Sequence, residues 1–207
     1  TKHLALLSPT GRASKKMSES TSYPSSTIHR FLKWSKDDNK FMVNENNPDF
    51  SDLIIIDEVS MIDIELFSSL LKGLTQNIKI ILVGDYNQLP SVGPGNLLKD
   101  LIDSEVIDTI SLEMIYRQSE DSYIPILAHD IKNNEVTEEF LETKDDYTFL
   151  KCSKESIIKN LKNLSLKLVE KGYDYKNVQI LAPMYAGING IDNLNKELQD
   201  IYNPKDV

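Results

Sequence analysis

The stretch "DLIIIDEVSMID", residues 52–63, places four apolar residues, Leu53 to Ile56, directly before two adjacent acids, Asp57 and Glu58. A short apolar run without polar alternation reads as a parallel strand buried on both faces. Strands of that kind hold their ligands beyond their carboxyl ends, and this end delivers two carboxylates. An acid pair in this position can also do no more than favour the N-terminus of the next helix. That helix is predicted over "IDIELFSSLLKGL", where Ile64, Phe67, Leu70 and Leu71 recur at helical spacing.

The neighbouring segments repeat the pattern. "IKIILVGD", residues 78–85, is a second buried strand closing on an acid, Asp85. The following "YNQLPSVGPG" puts Gln88 three residues further on, then a turn in which Gly93 and Gly95 let the backbone approach a ligand closely. A plain polar turn would read the same way. Upstream, "HLALLSP" is a strand stopped by Pro9, and "TGRASKKMSES" a short helix with Thr10 as its cap. "YPSSTIHRFLKW" reads as a turn and then a helix starting near Ser26 or Thr27, followed by a polar loop over residues 35–51 with one short hairpin.

Downstream, "GNLLKDLID" is a helix, "VIDTISLE" a short strand, and "YIPILAHDIKNNE" a helix with Pro125 tolerated in its first turn. After residue 145 a second rhythm begins: "YTFLKC" as strand, "KESIIKNLKNLSLKLVEKG" as helix closed by Gly172, "VQILAPM" as strand, and "GIDNLNKELQDIYN" as helix. Strands alternating with helices predict an α/β fold with a mostly parallel sheet flanked by helices. The change of rhythm predicts two parts, 1–145 and 146–207.

At 207 residues, 40% hydrophobic and 27% charged, the chain is of the globular class and long enough for one large domain or one domain and part of another. No apolar run approaches a membrane span and no signal peptide is present, so a cytoplasmic setting is expected. Cys152 is the single cysteine, which excludes an internal disulfide framework and a cysteine-based zinc site. Cys152 itself is expected to be buried and inert. The formal charge of −9 argues against diffuse nucleic-acid binding, yet residues 1–36 hold seven Lys/Arg against one acid, Glu19. One basic stretch on an acidic chain suits a local anionic ligand, and a solvated helix face would carry the same charges.

The segments "IIIDEVSM" and "VGDYNQLPSVGPG" together resemble motifs II and III of superfamily 1 helicases, in the RecD-like branch. That branch includes the alpha subunit of exodeoxyribonuclease V and its stand-alone relatives. "LLSPTGRASKKM" resembles motif Ia, "STIHRFL" motif Ib, and "LEMIYRQSEDSYIPILAHDI" the segment carrying the motif IV arginine. "VQILAPMYAGINGIDNLNKELQ" is similar to the opening of the family's second RecA-like domain. The family's phosphate-cradling loop, G-x-x-x-x-G-K-[ST], has no counterpart here; the nearest imitation, "GRASKKM" from Gly11, lacks the second glycine and the Lys-Ser/Thr ending. With motifs V and VI also absent, the chain reads as an internal fragment of a longer helicase, and the fold as P-loop NTPase type without its P-loop.

The resemblance implies a role for each matching residue. Asp57 would hold Mg²⁺ and Glu58 would act as general base, with Asp85 beside the nucleotide. Gln88 would sense the γ-phosphate of ATP, and Arg117 would stabilise developing charge. Alternatively, Arg117 would pair on the surface with Glu113 or Glu120. Pro9, Thr10, Gly11, Arg12, Thr27 and His29 would line a path for single-stranded DNA, joined by Gly93 and Gly95. Trp34 and Tyr185 are candidates for base stacking, and packing on the sheet is the expected role of Trp34.

The implied parent moves 5′ to 3′ on single-stranded DNA and unwinds duplex junctions at the expense of ATP, in repair or recombination, with nuclease or helicase subunits as candidate partners. The isolated chain is expected to be inactive and prone to self-association through an unpaired sheet edge. Two other readings are a non-hydrolytic DNA- or protein-binding module and the motor part of a conjugative relaxase.

Overall fold

The computed structural model describes residues 3–112 and 122–204. The chain divides into two compact units, Thr1–Tyr116 and Arg117–Val207.

The first unit is built on four strands: β1 (Leu4–Ser8), β2 (Ser25–Thr27), β5 (Leu53–Ile56) and β6 (Lys79–Leu82). They form one sheet in the order β2-β1-β5-β6. Every pairing is parallel, with Ser8 opposite Thr27, Leu7 opposite Ile56, and Ile56 opposite Leu82. All four carboxyl ends therefore lie along one edge. The connections carry α1 (Gly11–Thr21), the single-turn α2 (Ile28–Phe31), α3 (Ile64–Lys72) and, after β6, α4 (Leu97–Asp103). The predicted parallel α/β architecture is what this unit shows.

Its core gathers Leu7, Ile54 and Ile56 from the sheet, Ile28 and Leu32 from around α2, and Leu70 from α3. All six are at most 1% exposed, so they remain the interior of the sheet–helix interface. Burying a side chain of this size contributes about 1.5–3 kcal/mol. Thr10 and Asp63 close the helix starts: the Ala13 amide donates to Thr10 Oγ1 at 3.2 Å, and the Leu66 amide to Asp63 Oδ1 at 2.7 Å.

Residues 33–51 contain the expected hairpin, β3 (Trp34–Ser35) against β4 (Lys40–Phe41). Two expectations for this unit change. "SST" is a strand, not a turn, because its short polar backbone pairs with β1 in register. "VIDTISL" makes no strand among the described residues; Val106, Ile110 and Leu112 are 85–93% exposed, and without a neighbour to supply ladder hydrogen bonds an apolar run stays irregular.

The second unit holds α5 (Tyr123–Asn133), α6 (Ile157–Glu170) and α7 (Ile191–Tyr202). Gly172, at φ 86°, ends α6 as expected, with the Tyr173 amide donating to the Leu168 carbonyl at 3.0 Å. The predicted strands "YTFLKC" and "VQILAPM" do not form among the described residues, for the same lack of a paired neighbour. Cys152 is exposed, not buried as its residue type suggested. Side-chain ties explain the position of α5 in this unit: Ser122 Oγ donates to Asp146 Oδ2 at 2.5 Å, and the Tyr123 and Tyr147 rings lie 5.3 Å apart.

Candidate functional site

The carboxyl edge of the sheet collects the predicted site residues strand by strand. After β5, Asp57 continues the ladder for one residue, its amide donating to the Leu7 carbonyl at 2.9 Å. Glu58 then turns the chain with φ 58° and ψ 41°, left-handed values that cost a non-glycine residue of order 1–3 kcal/mol. Two hydrogen bonds hold that turn: the Glu58 amide donates to Asp57 Oδ1 at 2.9 Å, and the Val59 amide to the Val83 carbonyl at 3.1 Å. The turn thus wraps over the end of β6 and leaves both acids half-buried at the edge. Just behind it, Ser60 is 7% exposed and its hydroxyl has no hydrogen-bond partner among the described residues.

Beyond β6, Asp85 and Gln88 form a self-contained exposed turn. The Asn87 amide donates to Asp85 Oδ1 at 2.9 Å, and Gln88 Nε2 to Asp85 Oδ2 at 3.4 Å. Asp85 is thereby committed to shaping the loop that presents Gln88. Gly84 is required by packing, since a Cβ there would stand 2.9 Å from Leu98 Cδ2 and 3.1 Å from the Val59 amide. Gly93 and Gly95 approach their own chain: a Cβ at Gly93 would collide with the Asp63 carboxylate, and one at Gly95 would stand 3.3 Å from Ile64 Cβ. The Ile64 amide also donates to the Pro94 carbonyl at 3.0 Å, closing the loop onto the start of α3. Asp63, which caps α3 and lies against Gly93, is thus a junction that the residue pattern alone did not single out. Its only signal was its place just before a helical run.

On the other half of the edge, Pro9, Thr10, Gly11 and Arg12 follow β1, and Thr27 with His29 follow β2. Ser8 is fully buried and donates its hydroxyl to the Thr10 carbonyl at 3.0 Å, fixing the exit of β1. Thr10 and Thr27 each accept from an amide three residues on, Ala13 and Arg30, both at 3.2 Å, which leaves their hydroxyl protons for donation outward. Arg12 and His29 are exposed. Arg117 lies outside the described residues.

Carboxylate oxygens are hard donors suited to Mg²⁺, and Asp57 keeps Oδ2 without a hydrogen-bond partner among the described residues. A second group, His129, Asp130 and Glu135 at the end of α5, brings three ligand atoms within 4.8 Å of one another on a largely exposed surface. A cavity of about 470 Å³ between "VQILA" and α7 is lined by Val178, Ile180, Leu194 and Leu198, among others, and by none of the predicted site residues. Tyr185 is 75% exposed. No described helix is long and apolar enough to cross a membrane.

Residues 1–155 match the family model of the AAA domain. The chain belongs to that family. Within it, this AAA chain is 33% identical over 201 residues to the ATP-dependent RecD2 DNA helicase of Deinococcus radiodurans, covering 97% of this chain and 27% of that protein. It is 34% identical over 152 residues to the RecBCD enzyme subunit RecD of Buchnera aphidicola subsp. Schizaphis graminum, covering 72% of this chain and 25% of that protein. Among solved structures, a Pif1 helicase from Bacteroides in complex with ADP-AlF3 and ssDNA overlays with a TM-score of 0.46 at 18% identity, covering 84% of this chain and 48% of that one. The chain spans about a quarter of the length of the two curated relatives. The RecD-like resemblance drawn from the motifs is borne out by these relatives.

Proposed function

We propose that this AAA domain chain is the motor part of an ATP-dependent DNA helicase, with ATP at the β5–β6 half of the sheet edge and single-stranded DNA at the β1–β2 half. The observation that supports this reading is the segregation along one edge: acids and an amide on two adjacent strands, hydroxyls and cations on the other two. Asp57 would hold Mg²⁺, which would supply positive charge to the nucleotide; Glu58 would serve as the general base toward water, and Gln88 would report the γ-phosphate. Arg117, by motif order alone, supplies positive charge to the transition state. Thr10, Thr27 and backbone amides near Gly11 bond DNA phosphates, while Arg12 and His29 add charge and a ring. Gly93 and Gly95 carry the connecting loop that links nucleotide state to DNA grip.

By motif order, residues 1–145 belong to a first RecA-like domain and 146–207 open a second. The setting is cytoplasmic, movement is 5′ to 3′, duplex junctions are unwound, and nuclease or helicase subunits are the candidate partners. The 207-residue chain by itself hydrolyses no ATP, because no G-x-x-x-x-G-K-[ST] loop supplies the amide cradle and lysine that bind a triphosphate. Its β6 edge, where Ile81 and Val83 are each 47% exposed, favours self-association of the isolated chain.

Titrating labelled oligonucleotide into wild type and Arg12→Ala at several salt concentrations tests the DNA half. The variant binds more weakly, and its salt slope falls by roughly one ion at most. Unchanged affinity and slope remove Arg12 from the path.

A further inference from the structure

The loop that presents Gln88 is held at two points, and both lie on one other segment. At its near end the Val59 amide donates to the Val83 carbonyl at 3.1 Å, and a Cβ on Gly84 would stand 3.1 Å from that same amide nitrogen. At its far end the Ile64 amide donates to the Pro94 carbonyl at 3.0 Å, and Gly93 lies against the side chain of Asp63. Residues 59–64 follow Glu58 directly, so the acid turn and the loop are joined by two rungs with Gln88 between them. Between the rungs the loop supports only itself. Residues 85–90 are exposed, and among the described residues the hydrogen bonds of 85–92 stay inside the loop. The place of Gln88 therefore depends on the rungs.

Asp63 is the side chain at the far rung, and capping α3 accounts for only part of it. Its Oδ1 accepts from the Leu66 amide at 2.7 Å, which ties it to a helix whose Leu70 is fully buried in the core. Serine, asparagine or glycine would cap α3 nearly as well. The contact with Gly93 asks for more. A Cβ on Gly93 would meet Asp63 Cβ and Cγ at 2.7 Å each and collide with Oδ2, and these are its three nearest atoms. Gly93 does not have a positive φ, so its backbone conformation does not call for glycine. The Asp63 side chain does. Because Oδ1 is held by the cap, the carboxylate cannot rotate aside without releasing the helix start. Ser91 Oγ, donating to the Gly93 carbonyl at 3.0 Å, keeps the end of the loop in this seat.

We propose that Asp63 is a positioning residue for Gln88: by seating Gly93 it fixes the far end of the loop, and with it the reach of Gln88 toward the nucleotide. This rests on the reading of Gln88 as the group that reports the γ-phosphate. Asp63 itself touches no substrate and acts through the loop. A side-chain amide must come within about 3 Å of a phosphate oxygen to bond it, and a misplacement of about 1 Å can cost on the order of a hundredfold in rate. The rung at Gly84 alone would leave the far end of the loop free to shift.

The test uses a longer protein that carries the phosphate loop, with ATP turnover measured at saturating single strand. Asp63→Gly empties the seat and Gly93→Ala overfills it, and each lowers kcat roughly ten- to a hundredfold. Combined, the two changes exchange the partners across the contact: the new methyl group fills the place of the carboxylate, and most of the lost turnover returns. A cap-only role predicts the opposite pattern, with Asp63→Gly nearly silent and no recovery in the pair. In a Gln88→Ala background Gly93→Ala adds little further loss, since both act at one point. Normal kcat in either single variant, no recovery in the paired variant, or a full additional loss in the Gln88→Ala background overturns the assignment. If Gln88→Ala is impaired while Gly93→Ala adds its whole effect, the role of Asp63 falls and the γ-phosphate reading stands. If Gln88→Ala turns over normally, both fall.

Discussion

The two halves of one sheet edge end in opposite chemistry. β5 and β6 stop on acids: Asp57 and Glu58 in a strained turn, Asp85 folded back to shape the loop of Gln88. β1 and β2 stop on hydroxyls that cap short helices, Thr10 and Thr27, with Arg12 and His29 exposed beside them. The same parallel geometry underlies both, so the difference lies in the residues that follow each strand. Negative groups suit a metal and a proton acceptor, and amide, hydroxyl and cation groups suit phosphate oxygens. A strand order of β2-β1-β5-β6 keeps the two sets contiguous and apart.

The comparison breaks most visibly at Glu58. In a longer protein that carries the phosphate loop, Glu58→Gln lowers ATP turnover by about a hundred- to ten-thousand-fold while leaving single-strand affinity in place. Steady-state phosphate release checks it, and near-normal turnover would mean another group is the base. Next in size is Leu70, buried at 0% in the core that both halves share. Leu70→Ala costs about 2–5 kcal/mol by urea denaturation. It should lower both activities together, unlike any change at the edge.

Thr10 sharpens the comparison because it is cap and candidate contact at once. Thr10→Ala costs about 0.5–2 kcal/mol of stability through the lost Ala13 bond, and Thr10→Ser restores the cap. Persistent weak DNA binding in the serine variant would show that the methyl group, not the hydroxyl, is needed on the strand path. The smallest effect belongs to the second unit. The Ser122 hydroxyl, with the Tyr123 amide, holds the Asp146 carboxyl below its ordinary value. A depressed folded pKa stabilises above the unfolded carboxylate range and is lost as pH falls through the folded value. Wild type should therefore exceed Ser122→Ala in urea midpoint at neutral pH, and the gap should close as pH falls through the depressed value of the folded carboxyl. Neither edge activity should change.

Apolar runs closing on acids made β5 and β6 legible in the residues, and Pro9 with Thr10 marked the exit of β1. β2 was not legible, because Ser25, Ser26 and Thr27 have no apolar signal and become a strand only through pairing with Leu6, Leu7 and Ser8. The reverse failure occurred at "YTFLKC" and "VQILAPM", whose composition is strand-like but which have no ladder partner among the described residues. At the site, Asp57, Glu58 and Gln88 were readable as types at a spacing. The left-handed turn at Glu58 and the closure of Gly93 onto Asp63 were not, since both depend on contacts between segments far apart in sequence.

The central claim is that the two halves of the edge carry separable tasks, and a two-by-two measurement tests it directly. Glu58→Gln, Arg12→Ala and the double variant of the longer, loop-bearing protein are each assayed for single-strand affinity and for ATP turnover at saturating single strand. The account predicts that Arg12→Ala weakens affinity but keeps saturated turnover within about twofold of wild type. Glu58→Gln should remove turnover at unchanged affinity, and the double variant should show the two losses independently. If Arg12→Ala lost turnover even at saturation, or Glu58→Gln lost the strand, the edge would be one coupled site and the segregation would be wrong.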